Sequence, residues 1–340
     1  MNYLMTFFGV VLLLVGVLLI LWFTNLGGIK ERLLVNVAVN MRVSPSRMNN
    51  PKTPSDYGMQ YTNVDVMTPD GIRLSAWLMT PDITRNRTII INHALTTTRY
   101  GAVDGLDDVP VEYLPMVKHL YDAGYSILFY DHRGQGESDG GLGRNMIGQA
   151  APVGAGMTEW QDVIGSLNYV QNHPDLKNDE IAFVAHCMGA NALFLAWDKE
   201  PTLFNNANIT SIIALQPTIS EKMFGRFLIN MLGVDIAAAV GEKQLNEYGF
   251  GYATTHEYVR SISVPVLYLQ VKKDKYTFDQ VTGKNDIETI IAATPTEKEV
   301  IWVGTEEVRP FGNNQRFDGY AYFNKYPEEM LSFLTKNFTK

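Results

Sequence analysis

One cysteine, Cys187, stands among 340 residues. A single thiol forms no internal disulfide and offers no cysteine-rich metal site, so only a His/carboxylate cluster stays open by counting, and no metal or other cofactor is expected. Histidine is nearly as scarce: His93, His119, His132, His173, His186 and His256 are the six, and none follows residue 256. Basic charge is also short, with 28 Lys and Arg against 36 acids and a net charge of −8. The one basic cluster, Lys272-Lys273-Asp274-Lys275, contains an acid and has no interleaved aromatics. Without a broad basic surface, nucleic acid is excluded as a partner.

What the chain does have is apolar mass. At 46% hydrophobic residues it can bury one large core, and a single α/β domain with an appendage fits this length better than two equal domains. Tyr3 to Phe23 is uncharged and rich in Leu, Val, Ile and Phe. As a helix these ~21 residues span about 31 Å, against a hydrocarbon core of about 30 Å. No basic start and no small-residue cleavage site accompanies the run, which reads as an uncleaved single-pass anchor in a lipid bilayer through residues 3–23. Lys30, Arg32, Arg42 and Arg47 follow it and no basic residue precedes it, which predicts a cytoplasmic large domain. The expected organisation is an anchor over 1–28, a juxtamembrane segment and linker over 29–58, and one domain over 59–340. Within the second unit, Leu33 to Met41 reads as helical and Ser44 to Ser55, rich in Pro, Ser and Asn, as linker.

Along the domain, Tyr61–Met67 and Ile72–Leu78 alternate around a Pro69-Asp70-Gly71 turn and predict a hairpin. Thr88–Asn92 and Ser126–Tyr130 are continuous apolar runs, as expected for strands buried on both faces. Helices are predicted over Val111–Ala123, Trp160–Val170, Asp286–Ala293 and from Pro327 to near Lys336, with strands at Ile209–Leu215, Val264–Val271 and Glu299–Val303. Ser220 to Ser261 lacks strand signals and predicts a helical cap. Strands and helices alternating at this rate imply a mostly parallel central sheet with helices on both faces and its site at the carboxyl ends of the strands.

The most specific signal is Ala185-His186-Cys187-Met188-Gly189, which follows the apolar run Ile181–Val184 and leads into the helix-like Asn191–Lys199. Strand, sharp turn and helix make a nucleophile elbow with Cys187 where the Ser of G-x-S-x-G would sit. A thiol there is lifted clear of the sheet toward a helix N-terminus, whereas a bland reading makes it a small buried side chain at a strand end. Three more landmarks join it: Asn92-His93-Ala94-Leu95 after an early strand, the loop Asp131-His132-Arg133-Gly134-Gln135-Gly136-Glu137-Ser138-Asp139-Gly140, and Val264-Pro265-Val266-Leu267 leading to Asp274. Over roughly residues 60 to 338 their order resembles the α/β-hydrolase superfamily, and the Cys-centred elbow resembles its dienelactone hydrolase-like members. The resemblance implies an α/β-hydrolase fold, Cys187 as nucleophile, backbone N–H groups of Met188 and Leu95 as oxyanion hole, and Asp274 as the acid of a triad. Ala94 stands where the superfamily usually has glycine. Ser138 is expected to shape the loop, and Arg133-Gly134-Gln135-Gly136 lacks the spacing of a dinucleotide fingerprint.

The base is the gap. The resemblance calls for histidine after the last strand, but that loop reads Thr305-Glu306-Glu307-Val308-Arg309-Pro310, with Glu307 nearest in spacing. A carboxylate is a poor stand-in, because its pKa near 4.3 is low and its charge opposes a thiolate. His186 adjoins the nucleophile but should leave the turn in another direction. His256, on a predicted cap helix, could overhang the pocket and is the remaining candidate. Two functions follow: hydrolysis of an ester, thioester or lactone by a Cys nucleophile on a small acyl substrate, or a catalytically degenerate scaffold, a pseudoenzyme serving as accessory subunit to a membrane-protein partner.

Overall fold

The computed structural model describes residues 28–40, 51–95, 97–102, 111–140, 154–304, 311–312 and 316–339. Eight strands make the central sheet: β1 Thr62–Met67, β2 Arg73–Met79, β3 Arg87–Asn92, β4 Ser126–Tyr130, β5 Glu180–His186, β6 Ile209–Leu215, β7 Val266–Val271 and β8 Lys298–Val303. Their spatial order is β1-β2-β4-β3-β5-β6-β7-β8. β1 pairs antiparallel with β2, and β2 with β4; every other neighbour is parallel. The continuous apolar runs foreseen for β3 and β4 are buried along their whole length, as is β5.

Among the described residues nine longer helices position the rest: α1 Ile29–Asn40, α2 Leu114–Asp122, α3 Trp160–Asn172, α4 Met188–Lys199, α5 Ser220–Leu232, α6 Ala237–Tyr248, α7 Ile287–Ala293, α8 Arg316–Lys325 and α9 Glu328–Asn337. Shorter helical segments lie at Pro201–Asn206 and Thr255–Tyr258. One face of the sheet packs on α2, α8 and α9 through Met116, Leu120, Phe323, Met330 and Leu334. The other packs on α3, α4 and α7 through Val163, Leu167, Leu193, Phe194 and Ile290. Each such fully buried side chain contributes about 1.5–3 kcal/mol of transfer free energy. Helices on both faces satisfy a parallel sheet's need for two apolar coverings. α5 and α6 lie between β6 and β7, in the stretch read as a cap.

Two departures from the sequence reading stand out. α8 was not foreseen, because its aromatic run Phe317, Tyr320, Tyr322, Phe323 carries no clean helical stripe. The helix expected from Leu33 starts at Ile29, and it does not hang free: Leu34, Val35 and Val39 pack against Leu228, Ile236, Ala237 and Val240 of the cap. The run 3–23, most of the linker, and Glu306 and Glu307 lie outside the described residues. Among the described residues no single helix is long and apolar enough to cross a membrane.

Candidate active site

Cys187 is the first residue past β5, and its φ of 48° and ψ of −108° put an L-residue in left-handed space. Such a conformation costs on the order of 1–3 kcal/mol and persists only where the surroundings impose it. Two bonds impose it here: the Cys187 N–H still donates to Leu215 O of β6 at 2.8 Å, while its C=O accepts Asn191 N–H at 3.0 Å as the first bond of α4. The elbow also needs Gly189. A Cβ there would meet Asn92 Cβ and O at 2.7 Å, so only glycine lets α4 start against the end of β3.

Cys187 is 4% exposed, and its sulfur faces a cation. Arg316, the first residue of α8, donates from Nη2 to Cys187 Sγ at 3.1 Å and from Nη1 to Asp274 Oδ2 at 3.1 Å. Elbow residue, bridging group and loop acid thus stand in the order of a triad, with a guanidinium where an imidazole would be. Arg316 is locked on its remaining sides. Nη2 also donates to Gln216 O at 3.0 Å, Nε donates to the Tyr320 hydroxyl at 3.2 Å, and the Gln216 side-chain amide donates to Arg316 O. Gln216 in turn accepts Val271 N–H at 2.9 Å through Oε1, tying the ends of β6, β7 and α8 together.

Burial works against the charge of Arg316, but the Cys187 sulfur, Tyr320 and Asp274 outweigh it and hold the pKa above even the ordinary guanidinium range. The group stays protonated. Burial likewise keeps the proton on Tyr320, whose hydroxyl, occupied by Arg316 Nε as acceptor, is bonded to the sulfur as well. Asp274, three residues past β7 and fully buried, accepts Tyr276 N–H at 2.9 Å through its other oxygen.

Of the sequence candidates, Cys187 and Asp274 therefore meet through Arg316. His256 does not join them: it sits on the segment Thr255–Tyr258, and its buried Nδ1 has no hydrogen-bond partner among the described residues. His186 is packed behind the elbow between the rings of Tyr113 and Tyr320, and its Nδ1 meets Asn92 O at 3.2 Å. Burial holds its pKa down to about 3, so it is a neutral spacer. Met188 is the first residue of α4, where N–H groups have no intrahelical acceptor. In the turn after β3, the Ala94 N–H goes to the Tyr113 hydroxyl at 3.2 Å, and Leu95 follows.

The glycine loop is a buttress. Asp131 is buried in an ion pair with Arg99 at 2.9 Å, and Gly136, at φ 52°, leaves no room for a Cβ beside that carboxylate. Ser138 Oγ donates to Asp131 O at 2.5 Å and accepts Ser75 N–H at 2.9 Å, the shaping role expected of it. Gln135 Nε2 reaches Met188 Sδ at 3.8 Å, so the loop braces the elbow.

Sequence reasoning missed Arg316, Gln216 and Tyr320. A signal was present: Arg316 is a lone cation heading the aromatic run Phe317-Asp318-Gly319-Tyr320-Ala321-Tyr322-Phe323, and a cation forced into a core needs an anionic partner.

Sheet order, elbow and loop acid together define an α/β-hydrolase fold. The model of the serine aminopeptidase family (S33) matches residues 102–240, less than half of the chain. Among solved structures, an esterase of Pyrococcus furiosus is similar at 18% identity, with 87% of this chain and 100% of that one covered and a TM-score of 0.60. An alpha-beta hydrolase from Vibrio vulnificus aligns at 14% identity over 89% and 93%, with a TM-score of 0.58. The hypothetical protein PA2218 from Pseudomonas aeruginosa aligns at 13% over 87% and 97%, with a TM-score of 0.54. At these identities the likeness is one of fold. No curated protein matches the sequence.

Proposed function

We propose that this chain is a membrane-anchored acyl-transfer protein of α/β-hydrolase fold, with Cys187 as the nucleophile toward an ester, thioester or lactone. The observation that carries the reading is the strained elbow that aims Cys187 Sγ at the Asp274–Arg316 ion pair. The sulfur attacks the acyl carbon, the amides of Met188 and Leu95 receive the oxyanion, and Asp274 fixes Arg316 against the sulfur. Each oxyanion donor is worth about 3 kcal/mol in related chemistry. The Cys-centred elbow keeps the likeness to dienelactone hydrolase-like members, with Arg316 in the position of histidine.

The anchor belongs to the same reading. α1 begins six residues after the apolar run and is packed on α5 and α6, which would hold the cap side of a cytoplasmic domain toward the bilayer. Flotation of the full chain with phosphatidylcholine vesicles, resistant to carbonate, is the expected result.

A mechanism-based aryl ester that acylates wild type and spares Cys187→Ser supports the nucleophile. A second reading, the degenerate scaffold, is favoured by the want of a proton acceptor on the sulfur among the described residues: Arg316 is a donor only. It expects no acylation at pH 8 and co-purification with a membrane-protein partner in fixed ratio.

A further inference from the structure

A triad base does two jobs that a guanidinium cannot. It takes the nucleophile's proton and hands it to the leaving group, and it later strips a proton from the water that frees the acyl-enzyme. Arg316 has no lone pair to accept a proton, and its surroundings hold it charged. It can pair with the sulfur only after the thiol proton has gone to solvent. From this we infer, resting on the acyl-transfer reading above, that Arg316 makes the site a thiol-to-thiol acyl relay, taking its acyl group from a thioester and passing it to an acceptor thiol.

The leaving group decides the donor class. When the Cys187 thiolate adds to an oxygen ester, the tetrahedral intermediate must expel an alkoxide, which needs a proton that no neighbour of the sulfur among the described residues is placed to give. Tyr320 holds its proton against the sulfur and Arg316 holds its own. A thioester expels a thiolate, whose ordinary pKa near 8.5 lets it leave as the anion. The Cys187–acyl bond forms, the donor's carbon–sulfur bond breaks, and the electron pair leaves on the donor sulfur.

The second half has the same logic. Water attacks the Cys187 thioester slowly without a base. An incoming thiolate needs none: its sulfur bonds to the acyl carbon, the bond to Cys187 breaks, and the returning thiolate is received by Arg316 Nη2 and Tyr320. Thioester plus thiol gives thioester plus thiol, so no oxidant, metal or proton relay is required. The geometry suits a group that never moves, since Asp274, Gln216 and Tyr320 hold every arm of Arg316.

The test uses the full chain in detergent with an acetyl thioester of N-acetylcysteamine and the matching oxygen ester. Each rate is normalised to that ester's reaction with free cysteine, and acylation is followed by intact mass. The expected result is one acetyl on wild type and none on Cys187→Ser, with normalised acylation by the oxygen ester slower by about 100-fold, the lower range of a general acid's contribution. The acetyl-enzyme should persist in buffer and discharge at a rate proportional to added N-acetylcysteamine. Arg316→Lys should slow the relay, since an ammonium cannot bridge Cys187 and Asp274 as the guanidinium fork does, and Arg316→His should gain hydrolytic turnover without thiol. Multiple turnovers of hydrolysis by wild type, or equal normalised rates for the two esters, would overturn the relay while leaving the nucleophile intact; loss of that hydrolysis in His256→Ala would name the base. Absence of acylation by these donors and by the aryl ester alike sinks the acyl-transfer reading itself.

Discussion

Gln216 and Arg316 grip each other at both ends: the Gln216 amide donates to the Arg316 carbonyl, and the Arg316 guanidinium donates to the Gln216 carbonyl at 3.0 Å. Gln216 sits at φ 54°, a second left-handed residue at the carboxyl edge of the sheet, and Gly319 brings α8 so close that a Cβ would meet the Gln216 side chain at 2.8 Å. Gln216→Leu removes the acceptor for Val271 N–H and the donor to α8. It should cost about 1–3 kcal/mol, the penalty of a buried polar group left unmade. Urea unfolding measures the loss, and slower acylation of Cys187 should accompany it because Arg316 is freed to swing.

Asp274→Asn tests the ion pair. Asp274 is fully buried and Arg316 nearly so, and stranding one buried charge costs about 3–5 kcal/mol. The double variant Asp274→Leu/Arg316→Met removes both charges and should lose less stability than the sum of the single changes. Additive losses in a double-mutant cycle would show that the two groups do not interact energetically.

Gly189→Ala tests the elbow. Its methyl would press on Asn92 at 2.7 Å, an overpacking that costs about 1–3 kcal/mol. Because the shift displaces the Met188 amide together with Cys187, acylation should fall by more than tenfold, equivalent to about 1.4 kcal/mol in barrier height. Stopped-flow acylation alongside thermal melts separates the two effects.

Acid stability should report the buried histidines. Unfolded, His186 takes up a proton near 6.5; in the fold burial delays this until about 3. Between those values the unfolded chain binds the extra proton, so stability is full above about pH 6.5 and falls as pH drops. His186→Phe keeps a ring between Tyr113 and Tyr320 and should reduce the slope between pH 6 and 5 by about 1.4 kcal/mol per unit. Burial lowers His132 to about 4 and also lowers His93, so wild type should lose stability steeply through this range.

Much of the scaffold was legible because a parallel sheet buried on both faces writes its strands as unbroken apolar runs. Ile181–Val184 and Ser126–Tyr130 could be read that way without coordinates. The elbow at Cys187 was legible for a local reason: a strand-to-helix turn this sharp needs small neighbours within five consecutive residues. The helix Arg316–Lys325 was not, since it packs on both β7 and α2 and its aromatic side chains follow no single stripe. Arg316 was not legible because a triad partner is recognised in sequence as a proton acceptor at a fixed interval after the last strand, and a guanidinium is not one.

The linear chain by itself determined the order of strands and helices, the lone thiol at a strand-to-helix turn, the acid past β7, and the absence of histidine after residue 256. These are local patterns, set by hydrophobic period and turn chemistry. Only the tertiary structure decided what faces the sulfur. Cys187, Gln216, Asp274 and Arg316 are spread over 130 residues and meet because three parallel strands end on one edge, where the first residue of α8 is drawn down by a buried carboxylate. Burying a guanidinium is tolerable only with its charge and hydrogen bonds answered, and that requirement selects a partner by position in space, which spacing along the chain does not record.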